Sequence, residues 1–272
     1  MHKPVLHPPS DLASAPGEAV SPASLAKQAL KKVPEVTIFF WIVKLLTTAM
    51  GETTSDYLVH QLDPMIAVAL GALGLAVALI LQFAVRRYVA WIYWLAVVMV
   101  AIFGTMAADV VHIGLGIPYL ISAAFFAVAL VVIFGAWYIS EKTLSIHSIF
   151  TRRRELFYWA TVVTTFALGT AVGDLTASTF GLGYLASGVL FAVLIAIPAL
   201  GYRLVGLNGI LAFWFAYIVT RPLGASFADW LGKEVNAGGM GFGTGPVSLV
   251  LTLLIVGFVA YLAITQKDRQ GV

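Results

Sequence analysis

The stretch FWIVKLLTTAMGETTSD at residues 40–56 decides the fold, because its spacing recurs along the chain. An aromatic residue and a tryptophan open the pattern; a glycine follows ten residues after the tryptophan, and an aspartate five residues after that. The copies lie at residues 40–56, 93–109, 158–174 and 213–229. Their tryptophans are Trp41, Trp94, Trp159 and Trp214, their glycines Gly51, Gly104, Gly169 and Gly224, and their aspartates Asp56, Asp109, Asp174 and Asp229. Because the other positions mostly differ, the shared register indicates a fourfold internal repeat.

Long apolar segments contain and follow these copies. The 272 residues are 60% hydrophobic and 11% charged, with a mean hydropathy of +0.94, which is too apolar for a soluble domain. Each segment is about long enough to cross a hydrocarbon core of roughly 30 Å as a helix. The eight predicted spans are 35–61, 64–85, 89–113, 117–140, 155–179, 182–203, 206–231 and 246–265. We therefore predict an all-α integral membrane protein with eight transmembrane helices, two in each repeat.

Basic residues mark one side of the predicted membrane. They lie in the N-terminal segment, in the loop 141–154 and in the C-terminal segment, whereas Lys233 is the exception among the opposite connections. The positive-inside rule therefore predicts four parallel repeats in the cell inner membrane, with both termini in the cytoplasm. The predicted organisation is a disordered cytoplasmic tail (1–32), repeat 1 (33–87), repeat 2 (88–140), a cytoplasmic loop (141–154), repeat 3 (155–204), repeat 4 (205–265) and a second tail (266–272).

The composition also limits the chemistry and the partners. The sequence has no cysteine, which excludes disulfides, thiolate metal sites and thiol catalysis. Its net charge of +3 is explained by topology, so the expected partners are the lipid bilayer and an inorganic cation, and nucleic acid is not expected. The oligomeric state is not determined by the sequence.

The repeated aspartates are the candidate functional residues. They lie fifteen residues after the tryptophans, about 22 Å along a helix, so parallel repeats place all four at one depth near the outer side. Glu52, one turn before Asp56, adds a fifth carboxylate. Such a ring is expected to be protonated, paired with bases or neutralised by a cation. The alternative is that each aspartate caps a neighbouring helix or binds loop backbone.

The other polar residues in the spans define what this ring would bind. Lys44 and Arg221 are the bases expected to form internal ion pairs, which leaves three carboxylates in excess. Oxygen ligands alone suit Mn²⁺, Mg²⁺, Ca²⁺, Na⁺ or protons, so the ring would suit a divalent cation as a cofactor. His60 and His112 follow two of the aspartates on the same helix face, and an auxiliary role for them would favour a transition metal.

The repeated glycines and tryptophans have structural interpretations. The glycines are expected to allow close helix packing or to act as hinges, and the tryptophans to pack in the core or anchor the interface. The leading hypothesis for function is a cation transporter or channel; the alternative is a non-transporting scaffold or sensor. An intramembrane aspartyl enzyme is less favoured, because the string before Asp174 misses the Gly-x-Gly-Asp signature. We therefore predict no enzymatic activity.

The four Trp/Gly/Asp sets, over residues 34–265, resemble a family of bacterial membrane-anchored proteins. That family is defined by four tandem copies of a two-helix repeat of unknown function. The resemblance implies an integral membrane protein and carries no activity with it.

Overall fold

The computed structural model describes residues 31–269, and every regular element in that range is helical. The eight long helices are α1 (Ile38–Gln61), α2 (Pro64–Ala84), α3 (Ala90–Asp109), α4 (Tyr119–Glu141), α5 (Arg152–Asp174), α6 (Gly183–Leu204), α7 (Gly209–Gly232) and α8 (Thr244–Thr265). Short π turns, Val110–Gly114 and Leu175–Thr179, directly follow α3 and α5. Short 3-10 turns lie at Ile146–Ser148 and Val235–Ala237. The predicted all-helical fold is confirmed.

Seven of the described helices, α2 to α8, are long and apolar enough to cross a membrane. The first helix, α1, does not reach the same apolarity because Lys44, Glu52 and Asp56 lie within it. It is nevertheless 24 residues long and largely buried by its neighbours. Two of these polar residues, Glu52 and Asp56, are among the candidate functional carboxylates.

Helix starts follow local capping chemistry. The side chain of Thr37 accepts a hydrogen bond from the backbone of α1, and Asp63, followed by Pro64, caps α2. Thr151 and Asn208 do the same for α5 and α7. These residues supply oxygen acceptors for backbone N–H groups that have no partner inside the first turn.

The first helix of each repeat belongs to an inner ring. Around this ring α1 packs against α3, α3 against α5, α5 against α7, and α7 against α1. The second helices form an outer layer, and each packs mainly on the inner helix of the following repeat: α2 on α3, α4 on α5, α6 on α7, and α8 on α1. The last repeat thus closes onto the first. Because the outer helices cover the inner ones, their own apolar residues remain the most exposed.

An aromatic layer closes one end of the ring, which we call the tryptophan end. In each repeat the aromatic residue before the tryptophan contacts the tryptophan of the next repeat. The ring pairs are Phe40–Trp94 (5.8 Å between centroids), Tyr93–Trp159 (5.6 Å), Tyr158–Trp214 (6.2 Å) and Phe213–Trp41 (5.7 Å). Three of the tryptophans are buried, and Trp41 is half-buried. These side chains therefore pack in the core of the bundle.

A second fourfold contact is made by the repeat glycines. A Cβ atom added to any of them would collide with the residue that lies seven positions after the tryptophan of the next repeat. The contacts are Gly51 with Ala101, Gly104 with Phe166, Gly169 with Arg221, and Gly224 with Thr48. Glycine at these positions allows the inner helices to approach each other closely.

Residues near both ends of the described range differ from the tails that the sequence predicts. Residues 1–30 and 270–272 lie outside the described part of the chain. Lys32, expected in a disordered tail, is buried and forms an ion pair with Glu155, which also accepts a hydrogen bond from Gln82 Nε2 (3.0 Å). Asp268, expected in the second tail, is buried and accepts a hydrogen bond from Tyr88. Burial of these polar groups against partners fixes both ends of the described range at the tryptophan end.

Candidate functional site

Arg221 lies on the ring axis beneath the aspartates and is fully buried. Its Nη2 atom is 2.5 Å from Glu52 Oε2 and 2.7 Å from Thr170 Oγ1, and it also donates to Thr105 Oγ1. Glu52, Thr105 and Thr170 are repeat-equivalent, since each directly follows its repeat glycine. The inner helix of repeat 4 therefore supplies the base, and the inner helices of repeats 1, 2 and 3 supply its three side-chain acceptors at one level of the bundle. Arg221 forms the predicted internal ion pair.

Lys44 differs from its prediction. Its Nζ lies 3.8 Å from the centroid of the Phe166 ring and 4.2 Å from that of Tyr217, and it has no hydrogen-bond partner in the described structure. The expectation of an ion pair for Lys44 is therefore wrong. Aromatic faces, not a carboxylate, surround the ammonium group, and cation–π attraction offsets part of its desolvation.

The four aspartates lie at the opposite end of the ring, which we call the aspartate end. Asp229 is buried, and the other three are half-buried. One carboxylate oxygen from each of Glu52, Asp174 and Asp229 lies within 4.8 Å of the other two. The Oδ1 atom of Asp229 is buried and has no hydrogen-bond partner among the described residues. These three residues form what we call the acidic cluster.

The remaining two aspartates flank this acidic cluster. Asp109 is close enough to Glu52, Asp174 and Asp56 for their charges to interact. Asp56 forms an ion pair with Lys233, whose Nζ is also 3.7 Å from Asp229 Oδ1. All five predicted carboxylates therefore gather at one end of the ring.

Lys233 is the site residue that the sequence analysis missed. It directly follows α7, and its aliphatic stem crosses to repeat 1. Burial by itself lowers the pKa of Lys233, but the carboxylates of Asp229 and Asp56 outweigh burial and raise the pKa above its ordinary value. The sequence did carry a signal for Lys233. It lies four residues after Asp229, and it is the exception among the connections on the side of the predicted membrane that otherwise lacks basic residues.

The two candidate histidines do not join the acidic cluster. His60 is exposed, and its Nδ1 lies 2.6 Å from the backbone oxygen of Asp56 rather than from the carboxylate. His112 is buried in the π turn after α3, where its Nδ1 lies 2.9 Å from Ser122 Oγ. In the described part of the chain, the residues grouped closely enough to hold one ion are carboxylates alone. The predicted auxiliary role of the histidines as ligands is therefore not supported by their geometry.

The π turns begin immediately after Asp109 and Asp174. A π turn widens the helix by one residue per turn and is frequent at functional sites. In repeats 1 and 4, by contrast, Asp56 and Asp229 lie inside regular helix and share Lys233. The ring therefore has two paired aspartates and two aspartates that each precede a widened turn.

Comparison with known proteins gives one match. The family model described as Repeat of Unknown Function (DUF347) matches residues 39–88, 92–143, 157–206 and 212–268. Neither a curated protein nor a solved structure matches the chain. The four matched segments coincide with the four structural repeats.

Proposed function

This chain belongs to the family of the Repeat of Unknown Function (DUF347), and we propose that it is a multi-pass membrane protein that transports an inorganic cation through its acidic cluster. The observation that carries the proposal is the approach of Glu52, Asp174 and Asp229 within 4.8 Å, with a buried oxygen of Asp229 left without a hydrogen bond. Among the described residues this oxygen accepts no hydrogen bond, and its basic neighbour is the Lys233 ammonium, 3.7 Å away. A buried acceptor without a hydrogen bond costs free energy, which a bound cation would recover.

The charge balance supports the same proposal. The five carboxylates at this end are accompanied by two bases, Arg221 and Lys233, which leaves an excess of 5 − 2 = 3 negative charges when all five are ionised. Like charges gathered in a low-dielectric environment repel one another unless protons or cations neutralise them. A divalent cation at the acidic cluster would remove most of this excess.

The donor set favours one class of ion. The acidic cluster consists of carboxylate oxygens, Thr105 Oγ1 lies 3.4 Å from Glu52 Oε2, and the two histidines are engaged elsewhere. Oxygen-only sites suit Ca²⁺, Mg²⁺ and Mn²⁺, with Na⁺ and protons as the monovalent alternatives. The geometry thus favours hard cations over the nitrogen-preferring transition metals.

The ring axis favours transport with a conformational change over a channel. Between the acidic cluster and the tryptophan end, the axis is occupied by Arg221, by Lys44 and by the aromatic layer. A cation crossing that path without rearrangement would meet the Arg221 guanidinium and the side chains that fill the axis. We therefore propose that the acidic cluster is reached from one side at a time.

The orientation is part of this proposal. Eight spans with both termini in the cytoplasm would direct the tryptophan end inward and the aspartate end outward. The acidic cluster would then take cations from the outer side of the cell inner membrane.

The test combines binding and flux in purified protein. Wild-type protein is expected to bind Mn²⁺ or Ca²⁺ in detergent and to carry that ion into proteoliposomes. Asp229→Asn and Asp174→Asn are each expected to weaken binding at least about tenfold, since each removes a charged ligand. Glu234→Gln is the matched control, because Glu234 is an exposed acid of the same end. Wild-type affinity and flux in a variant lacking Asp174, Asp229 and Glu52 together would overturn the proposal.

The same experiment distinguishes the second candidate, a non-transporting scaffold or sensor. The ion pairs Arg221–Glu52 and Lys233–Asp56 favour it, because they join repeat 4 to repeat 1 and would also hold a rigid structural site. Cation binding that stabilises the protein, with no flux in proteoliposomes, would support the sensor.

A further inference from the structure

A cavity of about 950 Å³ lies at the tryptophan end, far from the acidic cluster. It is bordered by α1, α6 and α7 and by the loop between α4 and α5. Trp41 forms part of its wall, which explains why this tryptophan is half-buried while its three repeat equivalents are buried. The volume is within the range of ligand sites, roughly 300–1,000 Å³.

The cavity exists because three aromatic side chains that pack together at the junction of repeats 2 and 3 are not matched at the junction of repeats 3 and 4. Beside Trp214, the equivalent space is filled: its ring centroid is 5.1 Å from that of Phe134 and 5.8 Å from that of Trp137, which stacks on Phe157 at 6.2 Å. The residues at the same repeat positions beside Trp41 are Ala199, Tyr202 and Ala212. Two of these are small and the third is 59% exposed, so the space stays open. The two junctions therefore differ in how their repeats pack around the tryptophan.

The two ends of the cavity differ in polarity. Among its lining residues, Leu45 and Ile195 are half-buried, whereas His147 and Arg203 are exposed and mark its mouth. Arg203 and Ile195 are eight residues apart on α6, about 12 Å along the helix. An occupant must therefore be apolar at one end and polar at the other.

Arg203 is the free charge at this mouth. His147 already faces Glu35, with its Nδ1 3.2 Å from Glu35 Oε2, whereas Arg203 is exposed and forms no ion pair or hydrogen bond with any described residue. Guanidinium groups bind phosphate oxygens in a two-pronged geometry, so a phosphate ester is the matching anion.

We propose that this cavity binds a membrane phospholipid with a net negative headgroup. The phosphate lies at Arg203, and an acyl chain lies against Trp41 and the small side chains of Ala199 and Ala212. A lipid is favoured over a soluble phosphate because the walls are mainly apolar and because the adjacent outer face of α6 exposes large apolar residues such as Leu200. Basic residues near the ends of membrane helices recognise anionic lipids in this way. The site is independent of the cation proposal.

The test uses the full chain in detergent, with phosphatidylglycerol and phosphatidylcholine of identical acyl chains as probes and native mass spectrometry as the readout. Wild-type protein is expected to retain phosphatidylglycerol about fivefold more strongly, which is the factor for one basic residue near an anionic lipid. Arg203→Gln is expected to abolish this preference. The double variant Ala199→Phe/Ala212→Phe, which restores the aromatic residues of the filled junction, is expected to retain neither lipid.

Val193→Phe is the matched control, because it adds the same ring to an outward-facing position of α6 that does not line the cavity. It is expected to behave as wild type. Equal retention of the two lipids by wild type, or wild-type retention by the folded double variant, would overturn the proposal. If the double variant does not fold, an unchanged preference in Arg203→Gln overturns it instead. Displacement of the lipid by millimolar inorganic phosphate would identify a soluble phosphate site and would also overturn it.

Discussion

Arg221 is the basic partner of the buried Glu52 carboxylate, and it stands at a repeat position that carries a small or apolar side chain in the other three repeats. The equivalent residues in the other repeats are Thr48, Ala101 and Phe166. Repeat 4 therefore carries a base at this position, and repeat 1 carries Glu52 at the position after its glycine. The two changes compensate each other across the ring, since neither charge is stable alone in the core.

Removing one member of this pair is expected to destabilise the protein strongly. Arg221→Met leaves Glu52 buried without its base, at a cost of about 3–5 kcal/mol, which lowers the midpoint of thermal unfolding in detergent. Adding Glu52→Gln to that variant is expected to recover most of the loss. Arg87→Met serves as the control, because Arg87 is exposed and has no ion pair in the described structure. A midpoint for Arg221→Met equal to that of Arg87→Met would contradict the assignment.

At the level of the helices, the repeat glycines set how closely neighbouring inner helices approach. Each glycine faces the same position of the next repeat, so the same contact occurs four times around the closed ring. The side chains that it faces differ in size, from Ala101 to Phe166 and Arg221. The position of Arg221 on the axis therefore depends on the absence of a side chain at Gly169.

Gly169→Ala is expected to destabilise the bundle by roughly 1–3 kcal/mol, because its Cβ would overlap the stem of Arg221 and lie 3.0 Å from Pro222 Cδ. Gly135→Ala, in the middle of α4, meets nothing within 4 Å and is expected to stabilise the helix by about 0.5–1 kcal/mol. Thermal unfolding of the two variants measures both effects. Opposite signs are expected; a gain in stability for Gly169→Ala would show that the helices are not in contact there.

For the whole molecule, the outer helices decide how the ring closes. Each covers the inner helix of the next repeat, and α8 covers α1, so no repeat buries its apolar face alone. Contacts between residues distant in sequence, such as Lys233 with Asp56, follow from this closure. The acidic cluster itself draws its carboxylates from repeats 1, 3 and 4, and it is complete only when the last repeat meets the first.

The proposed orientation is testable because the chain has no native cysteine. Ala237→Cys lies at the aspartate end, and Thr265→Cys lies at the tryptophan end; both positions are exposed. A thiol reagent that cannot cross membranes is expected to label Ala237→Cys in intact cells, and Thr265→Cys after the cells are opened. The reverse pattern would invert the orientation and would place the acidic cluster on the cytoplasmic side.

The sequence by itself determined the helical class, the apolar helices, the fourfold register and the gathering of the five carboxylates at one end, because equivalent positions on parallel helices of equal length lie at equal depth. Only the tertiary structure decided which partner each charge has: Arg221 with Glu52, Lys233 with Asp56, and Lys44 with two aromatic rings. Periodicity assigns a residue to a face of its own helix, whereas an ion pair or a cavity depends on how helices far apart in sequence are rotated against one another. The cavity beside Trp41 likewise arises from three side-chain changes that become neighbours only when the ring closes.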